Sequence, residues 1–374
     1  GGVRNRARAG GGLYQLPAAR LLQNRMMNEN IENLNLDDFL KNGCLIQKPF
    51  SQMIYIGCGV IRDESGEFFL SNFYNTEFQR YSAKDIFYVQ KETFLAWLSR
   101  QNLDHCSLVE QQNFDKEFQR DVLKCKNLFE VNTNLKKLVA VTRCEYKNLN
   151  QDHPLGNLVK LSSLEGFLYG LWHGEGGFIG VSPEPLFVRN GDRWQTVSLA
   201  GTIDQSTLDF RDVLLNDRKE RNEHQFVIDD MKQSLSTIAD EIKQEETKVV
   251  VFGPMAHLKT DLSFKLKNDD TKQLTQSLSP SAALGGHPKA ESLRCLKELN
   301  YYEYEKDQRY FGGVMGLSDA QDCFGLVAIR NLFWDNVEHS AFIHSGCGIV
   351  KESQPDKELL EVQNKRHSIE KFFL

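Results

Sequence analysis

The stretch EGFLYGLWHGEGGFIGVSPEPLFVRNGDRWQTVSLAG, residues 165–201, decides the fold. Four apolar runs within it (165–171, 177–181, 185–189 and 194–199) are separated by short gaps holding Gly, Pro, Asn or Asp. Many strands separated by gaps of hairpin length argue for large antiparallel sheets. The pattern extends in both directions: 53–60 (MIYIGCGV) and 67–73 about a turn at 63–66, then 137–143 (KLVAVTR), 248–253, 311–317, 323–330 and 340–344. Between them, 109–130 and 210–245 carry spaced apolar residues of helical period. The reading is α+β: one large domain of antiparallel sheet with helices inserted at a few points.

Composition narrows the function. The 374 residues are 40% hydrophobic and 26% charged, and no run reaches the roughly 18 apolar residues of a membrane span. Residues 1–25 carry five arginines and no acid, so the remainder has a net charge of −11, which disfavours a nucleic-acid surface. That leader is Gly-rich and lacks the apolar centre of a secretory signal. It reads as an expression scar ahead of Met26-Met27, with an Arg-rich transit peptide as the alternative. The eight cysteines form no Cys-x-x-Cys pair, which predicts reduced, mostly buried thiols of a cytoplasmic protein and no structural zinc. The nine histidines show no His-Glu-x-x-His, so a metal would be held by carboxylates, favouring Mg²⁺.

Two helices carry acids beside a buried stripe. In 210–245, Val227, Met231, Leu235, Ile238 and Ile242 recur at spacings of three or four, and Glu220 and Glu223 extend that stripe towards the helix start. A last helix is expected from Ser353-x-Pro355, with Leu359, Val362, Ile369 and Phe373 inward and Glu358, Glu361 and Lys365 on an adjoining face. Each Glu-x-x-Glu reads either as a solvated face or as oxygen ligands for Mg²⁺. Ser345-Gly346-Cys347-Gly348 follows a strand and reads as a plain turn or as a backbone cradle for an anion. Arg330 reads as a surface ion-pair partner or as a bidentate carboxylate contact. Glu184, in Gly180-Val181-Ser182-Pro183-Glu184, reads from the pattern alone as a solvated hairpin acid; burial would make it a general acid.

In chain order these pieces resemble the chorismate-utilising enzymes: isochorismate synthases, salicylate synthases and the large subunits of anthranilate and aminodeoxychorismate synthases. The motifs are Ser182-Pro183-Glu184, Leu199-Ala200-Gly201-Thr202, Lys219-Glu220-Arg221-Asn222-Glu223-His224, His257-Leu258, Ala283-Leu284-Gly285-Gly286, Phe311-Gly312-Gly313, Ala328-Ile329-Arg330, Ser345-Gly346-Cys347-Gly348-Ile349-Val350 and Glu358-x-x-Glu361-x-x-x-Lys365. They span roughly residues 130–370. The resemblance implies two antiparallel sheets packed face to face with outer helices, 26–130 forming the N-terminal portion and 131–374 the catalytic portion of one domain.

The resemblance also implies the site. One chorismate carboxylate would bind Mg²⁺ held by Glu223 and Glu361, with Glu220 and Glu358 close by, so that a cation explains four acids without four bases. The other carboxylate would meet Arg330, Lys365 and the backbone of Gly346 and Gly348, with Gly201, Thr202, His257 and Phe311 at the ring. Water-using members carry a lysine in the strand before Arg143, where ammonia-using members resemble Gln. Lys137 fits as that base, because strand alternation sends it to the face of Val139 and Val141, where desolvation can lower a lysine's pKa to a value useful for a base. Anchoring the motif on Arg143 would instead place Leu138 there. Glu184 would then protonate the departing C4 hydroxyl while Lys137 activates water for attack at C2, giving isochorismate.

Three departures accompany the resemblance. Ser279-Pro280-Ser281-Ala282-Ala283-Leu284 has Ser279 where the family has histidine, Phe311 stands where some members have tyrosine, and the N-terminal part is short. The expected function is isochorismate synthase, feeding menaquinone or a siderophore, with no glutaminase subunit. Salicylate synthase is the alternative, and a chorismate-binding homologue without turnover is the non-enzymatic one.

Overall fold

In the computed structural model every pairing between strands among the described residues is antiparallel, with one isolated parallel bridge between Asn28 and Phe87. The structure describes residues 27–148, 152–252, 255–299 and 309–374, so the leader 1–25 lies outside the described residues. Among these, 18 strands form one hydrogen-bonded network, in which the two-residue strand Gly286–His287 pairs with Leu138 and Lys137. From one edge it runs through Leu108–Asn113, Lys137–Asn148, Ser340–Ile349, Asn331–Asp335, Gly176–Ser182, Phe167–His173, Gly43–Gln47 and Met53–Arg62. It continues through Phe78–Gln90, Phe68–Ser71, Val314–Ser318, Cys323–Val327, Pro185–Asn190, Arg193–Asp204 and Met255–Leu266, against which both Ala239–Gln244 and Lys248–Phe252 pair.

The network folds back on itself into two layers, and strand alternation shows it. Cys44, Ile46, Tyr55, Tyr169, Leu171 and Phe178 from the first half pack against Phe68, Leu70, Met315, Leu317, Phe324 and Leu326 from the second. Their neighbours point outward: Leu45, Ile54, Ile56 and Ile179 into a core with the N-terminal helices, and Phe69, Phe187, Val314 and Val327 into a core with the helices Arg218–Leu235 and Thr271–Leu278. The two face-to-face layers with outer helices are therefore present, joined edge to edge into one sheet. The quoted stretch forms four consecutive strands of it, and Gly191 (φ 64°) supplies the left-handed turn that closes the Pro185–Asn190/Arg193–Asp204 hairpin.

Several expected boundaries move. The single helix expected over 210–245 is broken in two, because the Asp217 side chain accepts the Glu220 N–H and caps a new helix there. Ile242 belongs to a strand, Ala239–Gln244, rather than to the helical stripe. The segment 109–130 begins as the edge strand Leu108–Asn113 before the helix Asp115–Val131. The last helix spans Pro355–Glu370, with Val362, Ile369 and Phe373 buried as its stripe predicts. All eight cysteines are buried and free. Among the described residues no helix is long and apolar enough to cross a membrane.

Candidate active site

The floor of the site is the inward face of two paired strands. Lys137, Val139 and Val141 alternate along Lys137–Asn148, and Val139 and Val141 pack with Phe311, Ile329 and Phe333. Opposite them, Gly348 pairs with Val139 and Gly346 with Val141. The Ser345–Gly348 segment is thus the middle of the strand Ser340–Ile349 and not a turn after it. Its glycines serve the face: a Cβ on Gly348 would lie 2.5 Å from Lys137 Cε and 3.0 Å from its Nζ. Lys365 Nζ donates to the Gly346 carbonyl at 2.9 Å. In an antiparallel strand a residue's N–H and C=O point the same way, so the Gly346 N–H also faces that open side, as does that of Gly348 two residues on.

The carboxylates arrive from the two helices. Glu223, half-buried, accepts from Lys137 Nζ at 2.6 Å. Burial alone would raise the Glu223 carboxyl, but the Lys137 charge and hydrogen bond, reinforced by Lys219 and Lys365, hold it below its ordinary value. Glu220 pairs with Lys219 at 2.9 Å and accepts the Thr202 backbone N–H at 2.8 Å. Burial works against the Lys219 ammonium, yet Glu220, Glu223 and Glu358 around it raise its pKa, so acids of both helices meet there. On the last helix Glu361 pairs with Lys365 at 2.7 Å. Burial and the neighbouring Glu361 push the Glu358 carboxyl up, and Cys347 Sγ lies 3.5 Å from its Oε2.

The four acids meet three lysines: Lys137, Lys219 and Lys365 each pair with one, and Lys219 also acts on Glu358 through its charge. The four are not equally enclosed, since the Glu361 side chain is 49% exposed.

A β-bulge builds the third wall. In the pairing of Arg193–Asp204 with Met255–Leu266, Ala200 faces Leu258 and Thr202 faces His257, leaving Gly201 as the extra residue. Gly201 takes φ 75°, and a Cβ there would sit 3.0 Å from the Glu220 carbonyl. The bulge turns Thr202 Oγ1 to within 2.9 Å of His257 Nδ1. Burial, with the charges of Lys365 and Arg330, drives the His257 imidazole down to about 4, so it is neutral at pH 7.

Arg330 lies beyond the strand Cys323–Val327, at φ 56°. The strand was expected to run on to it. It leaves early because the Arg330 carbonyl accepts the Val181 N–H at 3.0 Å and the Ile329 carbonyl accepts the Tyr169 hydroxyl at 2.8 Å. Burial lowers the Arg330 guanidinium from its usual range, partly offset by Glu361. Phe311 precedes its strand, which begins at Val314, and its ring stacks on His344 at 5.4 Å.

Glu184 is the sharpest departure from the local pattern. It is 6% exposed, not a solvated hairpin acid. Its N–H donates to Ser182 Oγ at 3.2 Å and its carbonyl accepts the Val327 N–H at 3.0 Å, which locks the residue against the neighbouring strand. Burial raises its carboxyl from 4.5 to about 7, with the Lys137 ammonium pulling the other way. A carboxyl poised there can donate a proton near neutrality.

Ser279 is also buried, and among the described residues its hydroxyl has no partner, so it does not reproduce a histidine's polar contact. Sequence reasoning missed Lys219, Cys347 and His344 as parts of this cleft. For His344 a signal existed: it precedes Gly346 and Gly348 at spacing two on one strand face.

The donors are oxygen-rich and clustered: Glu358 and Glu361 with Cys347 place ligand atoms within 4.8 Å of one another, and Glu220 and Glu223 adjoin them across Lys219. Four carboxylates suit a hard divalent cation.

A family model described as chorismate binding enzyme matches residues 60–373. The isochorismate synthase MenF of Pasteurella multocida is 29% identical over 226 residues, 57% of this chain and 52% of that protein. Anthranilate synthase component 1 of Aquifex aeolicus is 24% identical over 270 residues, 70% of this chain and 54% of that protein. The chain thus spans about half the length of the curated relatives it matches. Among solved structures, MenF, the menaquinone-specific isochorismate synthase of Escherichia coli, superposes with a TM-score of 0.77 at 16% identity, covering 91% of this chain and 92% of that one. At that identity the likeness concerns the fold.

Proposed function

The chain belongs to the chorismate-binding enzyme family, and from that premise we propose that it is an isochorismate synthase. The observation that carries the proposal is the pair Lys137 and Glu184. They are 2% and 6% exposed, Lys137 opens a strand while Glu184 sits in the link between Gly176–Ser182 and Pro185–Asn190, and the Lys137 charge acts on the Glu184 carboxyl. The step requires Lys137 to enter as the neutral amine, its ammonium proton passed to solvent; Nζ then accepts a proton from water as the oxygen bonds to C2 of chorismate. Glu184 gives its proton to the C4 hydroxyl as that C–O bond breaks and the ring double bonds shift. Water enters and water leaves, and Glu184 and Lys137 regain their starting protonation through solvent. A carboxyl with a pKa near 7 fits the donor's part.

Glu220, Glu223, Glu358 and Glu361 would hold Mg²⁺, which when bound supplies positive charge for a substrate carboxylate. Arg330 and Lys365, with the N–H groups of Gly346 and Gly348, would take the other carboxylate. Val139, Val141 and Phe311 give the ring an apolar floor, and neutral His257 with Thr202 offers it hydrogen bonds. The chemistry needs no ammonia and hence no glutaminase subunit.

The test is to incubate the protein with chorismate and Mg²⁺ in the absence of ammonia and to identify products by chromatography and NMR against an enzyme-free control. Isochorismate from the wild type, and none from Lys137→Ala that still binds chorismate with Mg²⁺, is the expected result. Salicylate with pyruvate would replace the proposal by salicylate synthesis, and unchanged chorismate bound tightly would replace it by a binding role.

A further inference from the structure

His224, next in sequence to Glu223, points away from the substrate side of its helix. It is 3% exposed, and its imidazole enters the seam between the carboxylate helix Arg218–Leu235 and the bulged strand pair. Nε2 lies 2.7 Å from Thr260 Oγ1, Thr260 Oγ1 lies 2.8 Å from Thr247 Oγ1, and Nδ1 lies 3.4 Å from Ser198 Oγ. The Ala200 carbonyl also accepts from the ring. Ser198 and Thr260 are cross-strand partners, and Ala200 is the last residue before the Gly201 bulge.

We propose that His224 is a positioning residue that pins the carboxylate helix onto the Gly201 bulge, and so sets where Glu220 and Glu223 present their oxygens. The directions of the chain follow from the one partner that can only accept. The ring N–H serves the Ala200 carbonyl, which leaves Nε2 to accept the Thr260 hydroxyl proton and Thr260 to accept that of Thr247. Each polar atom of the seam then has a partner, the condition under which a buried network rigidifies its surroundings.

The geometric consequence is local. Two residues beyond Ala200, the Thr202 N–H donates to Glu220 Oε2, and three residues before Thr260 stands His257, which meets Thr202 Oγ1. A turn of the helix about its axis would carry Glu220 off Thr202 and Glu223 off Lys137 together. His224 holds both faces of that contact because it is attached to each strand on either side of the bulge. The inference rests on the proposed role of Glu220 and Glu223 in holding a divalent cation.

The experiment is a Mn²⁺ titration of the full chain followed by electron paramagnetic resonance, with Mn²⁺ standing in for Mg²⁺. It compares wild type with Thr260→Val, His224→Leu and His224→Gln, and melting curves identify the folded variants. Partners that orient metal ligands typically contribute 10–100-fold to affinity. The expected result is a Kd about tenfold weaker for Thr260→Val and His224→Leu and largely restored in His224→Gln, whose amide can both donate and accept. Thr260→Val keeps the side-chain shape and decides the matter if His224→Leu does not fold. Folded variants that bind Mn²⁺ like wild type would overturn the inference while leaving the metal site standing. A wild type that binds no Mn²⁺ would overturn the metal reading and this inference with it.

Discussion

Replacing Glu184 by Gln should make the protein more stable relative to wild type as pH rises. In the folded protein the carboxyl sits at about 7 instead of 4.5, because burial penalises the charged form. A raised folded pKa means that the native state holds the proton more firmly than the unfolded chain. Its contribution to stability is therefore fully present below the unfolded value and is lost as pH rises through the folded one. At about 1.4 kcal/mol per pH unit of pKa difference, Glu184 costs wild type roughly 1 kcal/mol at pH 5 and roughly 3 kcal/mol at pH 8. The glutamine variant has no proton to lose, so its stability minus that of wild type should climb by about 2.5 kcal/mol over that interval. Any constant effect of the amide itself cancels in the comparison. The assay is urea denaturation of both proteins at half-unit steps of pH, read as the free-energy difference. A difference that stays level from pH 5 to pH 8 would mean that Glu184 ionises like a solvated carboxylate. It would then also be unable to act as the acid near neutrality, and any loss of turnover in the glutamine variant would need another cause.

Three further outcomes follow from contacts described above. Gly348→Ala places a methyl group 2.5 Å from Lys137 Cε, the flexible part of a side chain, so stability should change little while Lys137 is displaced; roughly a 10²-fold fall in kcat is expected, measured beside an unaltered melting curve. Arg366→Ala strands Asp115 and Glu370, which it meets at 2.8 Å and 3.0 Å in a largely buried network, and should cost about 3–5 kcal/mol in denaturant. Burial raises Asp115, but its bonds to Arg366 and Gln363 hold it below its ordinary value, so its stabilising contribution is present above the unfolded pKa and fades as pH falls through the folded one; the gap between the two proteins should narrow in acid. Because three of the four acids already have lysine partners, chelating divalent ions should leave the protein folded, whereas Mg²⁺ with chorismate at a hundred times its Kd should add about 2.7 kcal/mol, read as a higher Tm.

The strands of 165–201 were legible because their turn residues and their apolar runs agree, and local agreement of that kind is enough to define a hairpin. The same logic misread 345–348, where Gly and Ser look like a turn; the strand continues because its partner supplies Ala140, Val141 and Thr142 across the ladder. Helical period carried the 210–245 reading past Asp217, since a cap inside an apolar stripe interrupts the chain without interrupting the pattern. At the site, the residue types and their order pointed to the cleft, but the surroundings of Glu184 did not, because its burial depends on Val327 far along the chain. The lysine partners were hidden for a similar reason. Lys219 and Lys365 lie beside their acids in sequence, yet nothing in 137 or in 223 announces that the two residues meet.

The edge-to-edge joining of the two layers has a consequence for how the molecule comes into being. Gly43–Gln47 lies between a strand ten residues away and one that begins at Phe167, and the strand bearing Lys137 is completed only by Ser340–Ile349, some two hundred residues later. Pairings so distant in sequence bring loop-closure entropy forward before any contact repays it, so the chain should fold slowly for its size. On the ribosome Lys137 would wait, with its glycine-lined ladder and the helix Pro355–Glu370 unmade, until residues some two hundred positions later had emerged. The cleft is in this sense a late feature of the fold, because the strand Ser340–Ile349 and the helix Pro355–Glu370 that complete it follow Lys137 by some two hundred residues.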